Sequence, residues 1–172
     1  MLQVTLKGHP VKVGGDRIVK VGDEAPEVVV VTKDLAEKTV GGARGKVQVL
    51  IAVPSLDTEV CALETKRFNE KLAAFGDPVE GTVISMDLPF AAKRFCTAEG
   101  IENVEVASDF RDRAFGRNYG VIILEGPLQG LLARVVFVVD PAGRVAYKQV
   151  VPEITQEPNY EDVLAAVRKL LP

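Results

Sequence analysis

The chain has 172 residues, 47% of them hydrophobic and 26% charged, with a formal net charge of −3. That length fits a single domain, residues 1–172, able to bury its own core without disulfide or metal staples. The mildly acidic balance and scattered basic residues give no electrostatic case for nucleic acid or an anionic membrane, and no apolar run approaches the ~18 residues that cross a bilayer.

The first twenty residues read as a small hairpin. "QVTLKG" and "RIVKVG" are strand-like and flank turn chemistry at His9-Pro10 and Gly14-Gly15. The opening "MLQVTLKGHPVKVGG" lacks the long apolar run of a signal peptide, so a cytoplasmic location is expected. "EVVVVTKDL" reads as a further strand, followed by the loop "VGGARGK". "KVQVLIAVP" is a continuous apolar run ended by proline, as in a strand buried on both faces. A helix from about Thr58 to Phe75 follows, then a second buried strand in "GTVISMDLP".

"PFAAKRFC" reads as a short helix with Pro89 at its first position. "VEVASD" reads as a strand and "FRDRAFGRNYG" as a helix closed by Gly120. "LLARVVFVVDPAGRVAYKQVV" is a hairpin of two apolar strands turned by "DPAG". The chain ends in "NYEDVLAAVRKLL", an amphipathic helix capped by Asn159, with its basic residues in the last turn. This order predicts an α/β sandwich around a mixed sheet.

Cysteine and histidine usage narrows the chemistry. There are two cysteines, Cys61 and Cys96, and one histidine, His9. His9 lies in "KGHPVK", read as a surface turn, so a Cys-His hydrolase is not expected. The set is also poor for structural zinc, which wants four such ligands in close pairs. Neither C-x-x-C, nor G-x-x-x-x-G-K-[ST], nor G-x-G-x-x-G occurs. In a reducing cytosol a static disulfide is not expected, which leaves packing or redox work for the thiols.

"VPSLDTEVCALETKRF" places Cys61 at a helix mouth behind an apolar strand. First-turn N–H groups have no intrahelical partners, and the helix dipole adds partial positive charge there. A thiol in that niche ionises more readily. Thr58 and Cys61, spaced i and i+3, share a face, and Pro54 offers no donor and screens one side from water. Packing is the competing reading, because Cys61 shares a side with Phe68, Leu72 and Phe75. Arg134 is the second anomaly, a charge inside the apolar strand "LLARVVFVVD". A buried guanidinium requires an anion and hydrogen bonds, and a thiolate across the sheet would serve. Alternatively it snorkels outward from the strand's start.

At these residues the chain resembles a known family. "PSLDTEVC" is similar to the P-x-x-x-[ST]-x-x-C signature of the peroxiredoxins, here Pro54, Thr58 and Cys61. "DLPFAAKRFCTAEGIENV", "YGVIILEGPLQGLLARVVFVVD" and "VPEITQEPNYEDVLAAV" resemble the thiol peroxidase branch, the atypical two-cysteine type, and the likeness spans essentially the whole chain. It implies a thioredoxin-like peroxiredoxin fold with an added N-terminal β-hairpin. It further implies that Cys61 is the peroxidatic and Cys96 the resolving cysteine, joined in a Cys61–Cys96 disulfide during turnover. Thr58 and Arg134 would hold the thiolate and the peroxide, and Pro54 would shield the sulfenic acid. No metal or organic cofactor, thioredoxin as reductant and a homodimer complete what the resemblance implies. The residues themselves also admit an inert thioredoxin-like module, or a thiol–disulfide oxidoreductase lacking its usual close cysteine pair.

Overall fold

The computed structural model describes residues 1–172. In chain order the elements are β1 (Leu2–Leu6), β2 (His9–Gly14), β3 (Val28–Thr32), β4 (Glu37–Val40), β5 (Val47–Ala52), α1 (Glu59–Ala73), β6 (Val79–Ser85) and α2 (Pro89–Glu99). Then come β7 (Glu105–Ser108), α3 (Ala114–Tyr119), β8 (Ile122–Ile123), β9 (Val135–Val139), β10 (Val145–Val150) and α4 (Tyr160–Lys169). No helix is long and apolar enough to cross a membrane.

A seven-stranded mixed sheet runs in the order β10-β9-β5-β6-β7-β3-β4. Its central strands β5, β6 and β7 are parallel, and β9, β10, β3 and β4 flank them in antiparallel pairs. Alternation along a strand explains the two cores. Val47, Val49 and Ile51 of β5 pack with α1, α2 and α4, whereas Leu50 and Ala52 pack with α3 and the small sheet β1-β2-β8. Every residue of β5 and of β9 is buried, which is why both read as unbroken apolar runs. This is the thioredoxin-like sandwich with the added hairpin.

The hairpin itself sits in a different register from the one expected. Leu6 pairs with His9, so the turn is Lys7-Gly8, and both residues have positive φ, 49° and 83°. Such a two-residue loop matches the strand twist, and glycine at its second position relieves the strain. His9 and Pro10 therefore open β2 instead of forming a turn, and "RIVKVG" is not a strand. Thr5 and Pro10 form a non-hydrogen-bonded pair, so the missing proline donor costs the ladder nothing.

Two short strands, β4 and β8, escaped the sequence reading. α2 continues a few residues past Cys96 to Glu99, where Gly100 closes it at φ 67°. α3 begins only at Ala114, because the Asp109 side chain accepts hydrogen bonds from the backbone N–H groups of Phe115 and Gly116.

Candidate active site

The turn between β5 and α1 is built by its own polar groups. Thr58 is the N-cap of α1: its hydroxyl accepts from the backbone N–H of Cys61 at 3.3 Å and donates to the carbonyl of Ser55 at 3.0 Å. Pro54 is buried at the start of this turn. Asp87, in the β6–α2 loop, accepts from the Ser55 hydroxyl and the Leu56 N–H at 2.8 and 2.7 Å, and from the Ser85 hydroxyl at 2.8 Å. One carboxylate thereby joins the loop that precedes Cys61 to the loop that leads to Cys96.

Cys61 is the third residue of α1 and is fully buried, on a face shared with Glu64, Thr65, Phe68 and Leu72. Arg134 lies just before β9 with the same parity as Val136 and Val138, which face α1. Its Nη1 donates to Cys61 Sγ at 3.3 Å and to Glu64 Oε1 at 2.8 Å, while Nε and Nη2 both donate to the Ile154 carbonyl at 3.0 and 2.7 Å. Arg134 is only 2% exposed, so it does not snorkel to solvent.

The shorter anionic contact is to Glu64, not to the sulfur across the sheet that was expected to meet the charge. Burial opposes the guanidinium's charge, but Glu64 and then Cys61 outweigh it and hold Arg134 above its usual range. Glu64 is pushed up to about 7 because its burial costs more than the pull of Arg134 returns. Its second oxygen, Oε2, is buried without a hydrogen-bond partner.

Cys61, Thr58 and Arg134 are thus brought together, with Pro54 at the edge of the same turn. Cys96, on the inward face of α2, is 5% exposed, and burial pushes its thiol up. Both thiols are free, and both belong to the apolar cluster beneath α1 and α2. Glu64 and the Ile154 carbonyl were missed in the sequence. Glu64 was findable, since it is three residues after Cys61 and must share its face. A backbone carbonyl leaves no such signature. No group of three or more His, Cys, Asp or Glu side chains stands close enough to hold a metal ion.

Residues 20–164 match the family model described as Redoxin. A thiol peroxidase of Aquifex aeolicus is 60% identical over 168 residues, covering 98% of both chains. One of Bacillus subtilis is 47% identical over 171 residues, covering 99% of each. A crystal structure described as a peroxiredoxin-like protein from Aquifex aeolicus superposes with a TM-score of 0.94 at 60% identity, covering 98% of this chain and 97% of that one. Thiol peroxidase from Chromobacterium violaceum, at 20% identity and a TM-score of 0.85, shares the fold over 98% of this chain and 96% of that one. The thioredoxin-like sandwich and these relatives define the class as a thiol-based redox enzyme. The chain belongs to the thiol peroxidase family, and its activity is that of an oxidoreductase acting on peroxide.

Proposed function

We propose that Cys61 is the peroxidatic sulfur of this peroxidase and that Cys96 resolves it. The observation that carries this reading is the hydrogen bond from Arg134 Nη1 to Cys61 Sγ within the first turn of α1. The Cys61 thiolate attacks the terminal oxygen of a hydroperoxide, forming an S–O bond as the O–O bond breaks. The departing alkoxide, or hydroxide from hydrogen peroxide, takes a proton and leaves as alcohol or water. Cys96 then attacks the sulfenic sulfur, water leaves, and an intramolecular disulfide remains. Thioredoxin, through its dithiol, returns both cysteines to the reduced state.

Thiolate formation alone is insufficient. Making an ordinary thiol fully ionised at neutral pH gains roughly thirtyfold, against the millionfold or more that enzymes typically supply. Alignment and charge stabilisation must provide the rest. Thr58 already donates its proton to Ser55, so its remaining lone pair is the group that accepts from the peroxide O–H. Arg134, held on two sides by Ile154 and Glu64, faces the charge that develops on oxygen. Pro54 shields the sulfenic acid. Hydrogen peroxide and organic hydroperoxides are the substrates, in a cytoplasmic homodimer serving antioxidant defence.

Both thiols are buried on different helices, so disulfide formation requires the first turn of α1 and the segment around Cys96 to open locally. The test is reaction of the reduced protein with one equivalent of cumene hydroperoxide, followed by mass mapping of the thiols. Wild type should form a Cys61–Cys96 disulfide, Cys96→Ser should stop at Cys61 sulfenic acid, and Cys61→Ser should stay reduced. Both thiols remaining reduced in wild type would reject the reading.

A further inference from the structure

Glu153 is a half-buried carboxylate that accepts five hydrogen bonds, more than any other side chain in the molecule. Oε1 accepts from the Thr5 hydroxyl at 2.8 Å and the Gly8 N–H at 2.9 Å. Oε2 accepts from the Lys7 N–H at 3.1 Å, and from the N–H and hydroxyl of Thr155 at 3.0 and 2.7 Å. Three of these donors lie on the N-terminal hairpin, more than 140 residues away in sequence. The other two lie on Thr155, so the carboxylate arches over Ile154 and fixes the backbone on both sides of it. The hairpin adds two backbone bonds to the same segment, Thr5 N–H to the Pro152 carbonyl at 2.7 Å and Ile154 N–H to the Thr5 carbonyl at 2.9 Å.

The residue fixed in this way is the one whose carbonyl receives both Nε and Nη2 of Arg134. A planar guanidinium gripped along one edge by a single carbonyl takes its orientation from that carbonyl. The remaining Nη1 is then aimed at Cys61 and Glu64. We infer that Glu153 is a positioning residue for the peroxidase reaction, and that the N-terminal hairpin acts through it to set the angle of Arg134. The inference rests on the roles proposed above for Cys61 and Arg134. The backbone and hydroxyl donors, those of Thr155 and Gly8 foremost, hold the carboxyl far below the usual carboxylate range, so the clamp stays charged at any working pH.

A control is available in the same hairpin. Glu125 Oε1 accepts from the Lys12 N–H at 3.1 Å and ties β2 down at a point that does not lead to Arg134. The experiment compares the second-order rate with hydrogen peroxide to the rate of Cys61 alkylation by iodoacetamide, in the full-length reduced protein. Misplacement of a catalytic group by a fraction of an ångström costs on the order of tenfold or more. Glu153→Ala should therefore lower the peroxide-to-alkylation ratio by about tenfold. Glu153→Gln, whose one carbonyl oxygen still accepts but whose amide nitrogen is turned against backbone N–H donors, should recover only part of it, and Glu125→Ala should leave the ratio unchanged. Thr5→Val, which removes one donor of the five, should shift the ratio the same way by a smaller factor and serves if Glu153→Ala does not fold. An unchanged ratio in the Glu153 and Thr5 variants of a peroxide-reactive protein, or an equal fall with Glu125→Ala, would overturn the inference alone. A wild type inert to peroxide would overturn the underlying reading as well.

Discussion

Arg134 stands 2.8 Å from the carboxylate of Glu64 and 3.3 Å from the sulfur of Cys61, and a single nitrogen, Nη1, serves both. Sulfur, a larger atom than oxygen, accounts for part of the difference in distance, but the sharing has a chemical consequence. The guanidinium keeps a second partner, Glu64, beside the sulfur proposed to react. Changes at the sulfur therefore do not leave the arginine without a partner.

Glu64 makes stability depend on pH. Its ordinary value is 4.5 and its folded value about 7, so between those limits the folded protein binds more protons than the unfolded chain. Stability from this group is full below about 4.5 and is lost as pH rises through about 7, by at most about 3 kcal/mol. Glu64→Gln removes the titration. Thermal midpoints of wild type should fall relative to this variant across that window and run parallel above it.

Removing Arg134 alone leaves the buried Glu64 carboxylate unpaired, a change that typically costs about 3–5 kcal/mol. Arg134→Met should be destabilised accordingly, and Arg134→Met with Glu64→Leu should recover most of the loss, as denaturant titrations of the three proteins would reveal. In the single variant, peroxide reactivity should drop far more than iodoacetamide reactivity at matched thiolate fraction. Equal drops would remove Arg134 from the chemistry.

Thr58 has two separable duties. Thr58→Ala loses the N-cap of α1 and should cost about 1 kcal/mol in urea unfolding. It should also slow reaction with peroxide by at least tenfold, in the range of one lost transition-state contact. Thr58→Ser, which retains the hydroxyl, should restore both properties. A variant that restores the stability but not the rate would show that the methyl group, not the hydroxyl, governs the reaction.

Asp87 ties together the two loops that open, on the proposed cycle, for Cys61 and Cys96 to bond. Asp87→Ala removes the acceptor for Ser55, Leu56 and Ser85. Amide exchange over residues 55–62 and 86–96 should accelerate in this variant, and disulfide formation after sulfenic acid should be faster than in wild type. Hydrogen exchange with mass detection and a stopped-flow sulfenate trap measure the two.

The parts of the site encoded locally were legible in the sequence. Pro54, Thr58 and Cys61 announce a strand end and a capped helix start, and both signals lie within one turn of chain. Arg134 stood out because a charge breaks an apolar run, and a sulfur partner across the sheet could be anticipated, whereas Glu64 and the Ile154 carbonyl were not read. Glu64 was within reach of the sequence, because its i, i+3 spacing puts it on the face of Cys61 and Phe68, although a glutamate in "ALETKRF" gives no sign of being buried so completely. Glu153 was out of reach because its donors come from the other end of the chain. The hairpin register was misread because the turn signals at His9-Pro10 and Gly14-Gly15 compete with the one at Lys7-Gly8. The left-handed turn at Lys7-Gly8 prevailed, since the strand pairs after it continue unbroken to Leu2 and Val13.

The two sulfurs sit in one apolar cluster with Phe68, Leu72, Ala92 and Val163. On the proposed cycle, each turnover must dismantle and rebuild a piece of that interior. Resistance to heat and speed of recycling are then drawn from the same contacts. A chain tightened there for hot environments would work sluggishly in cool ones.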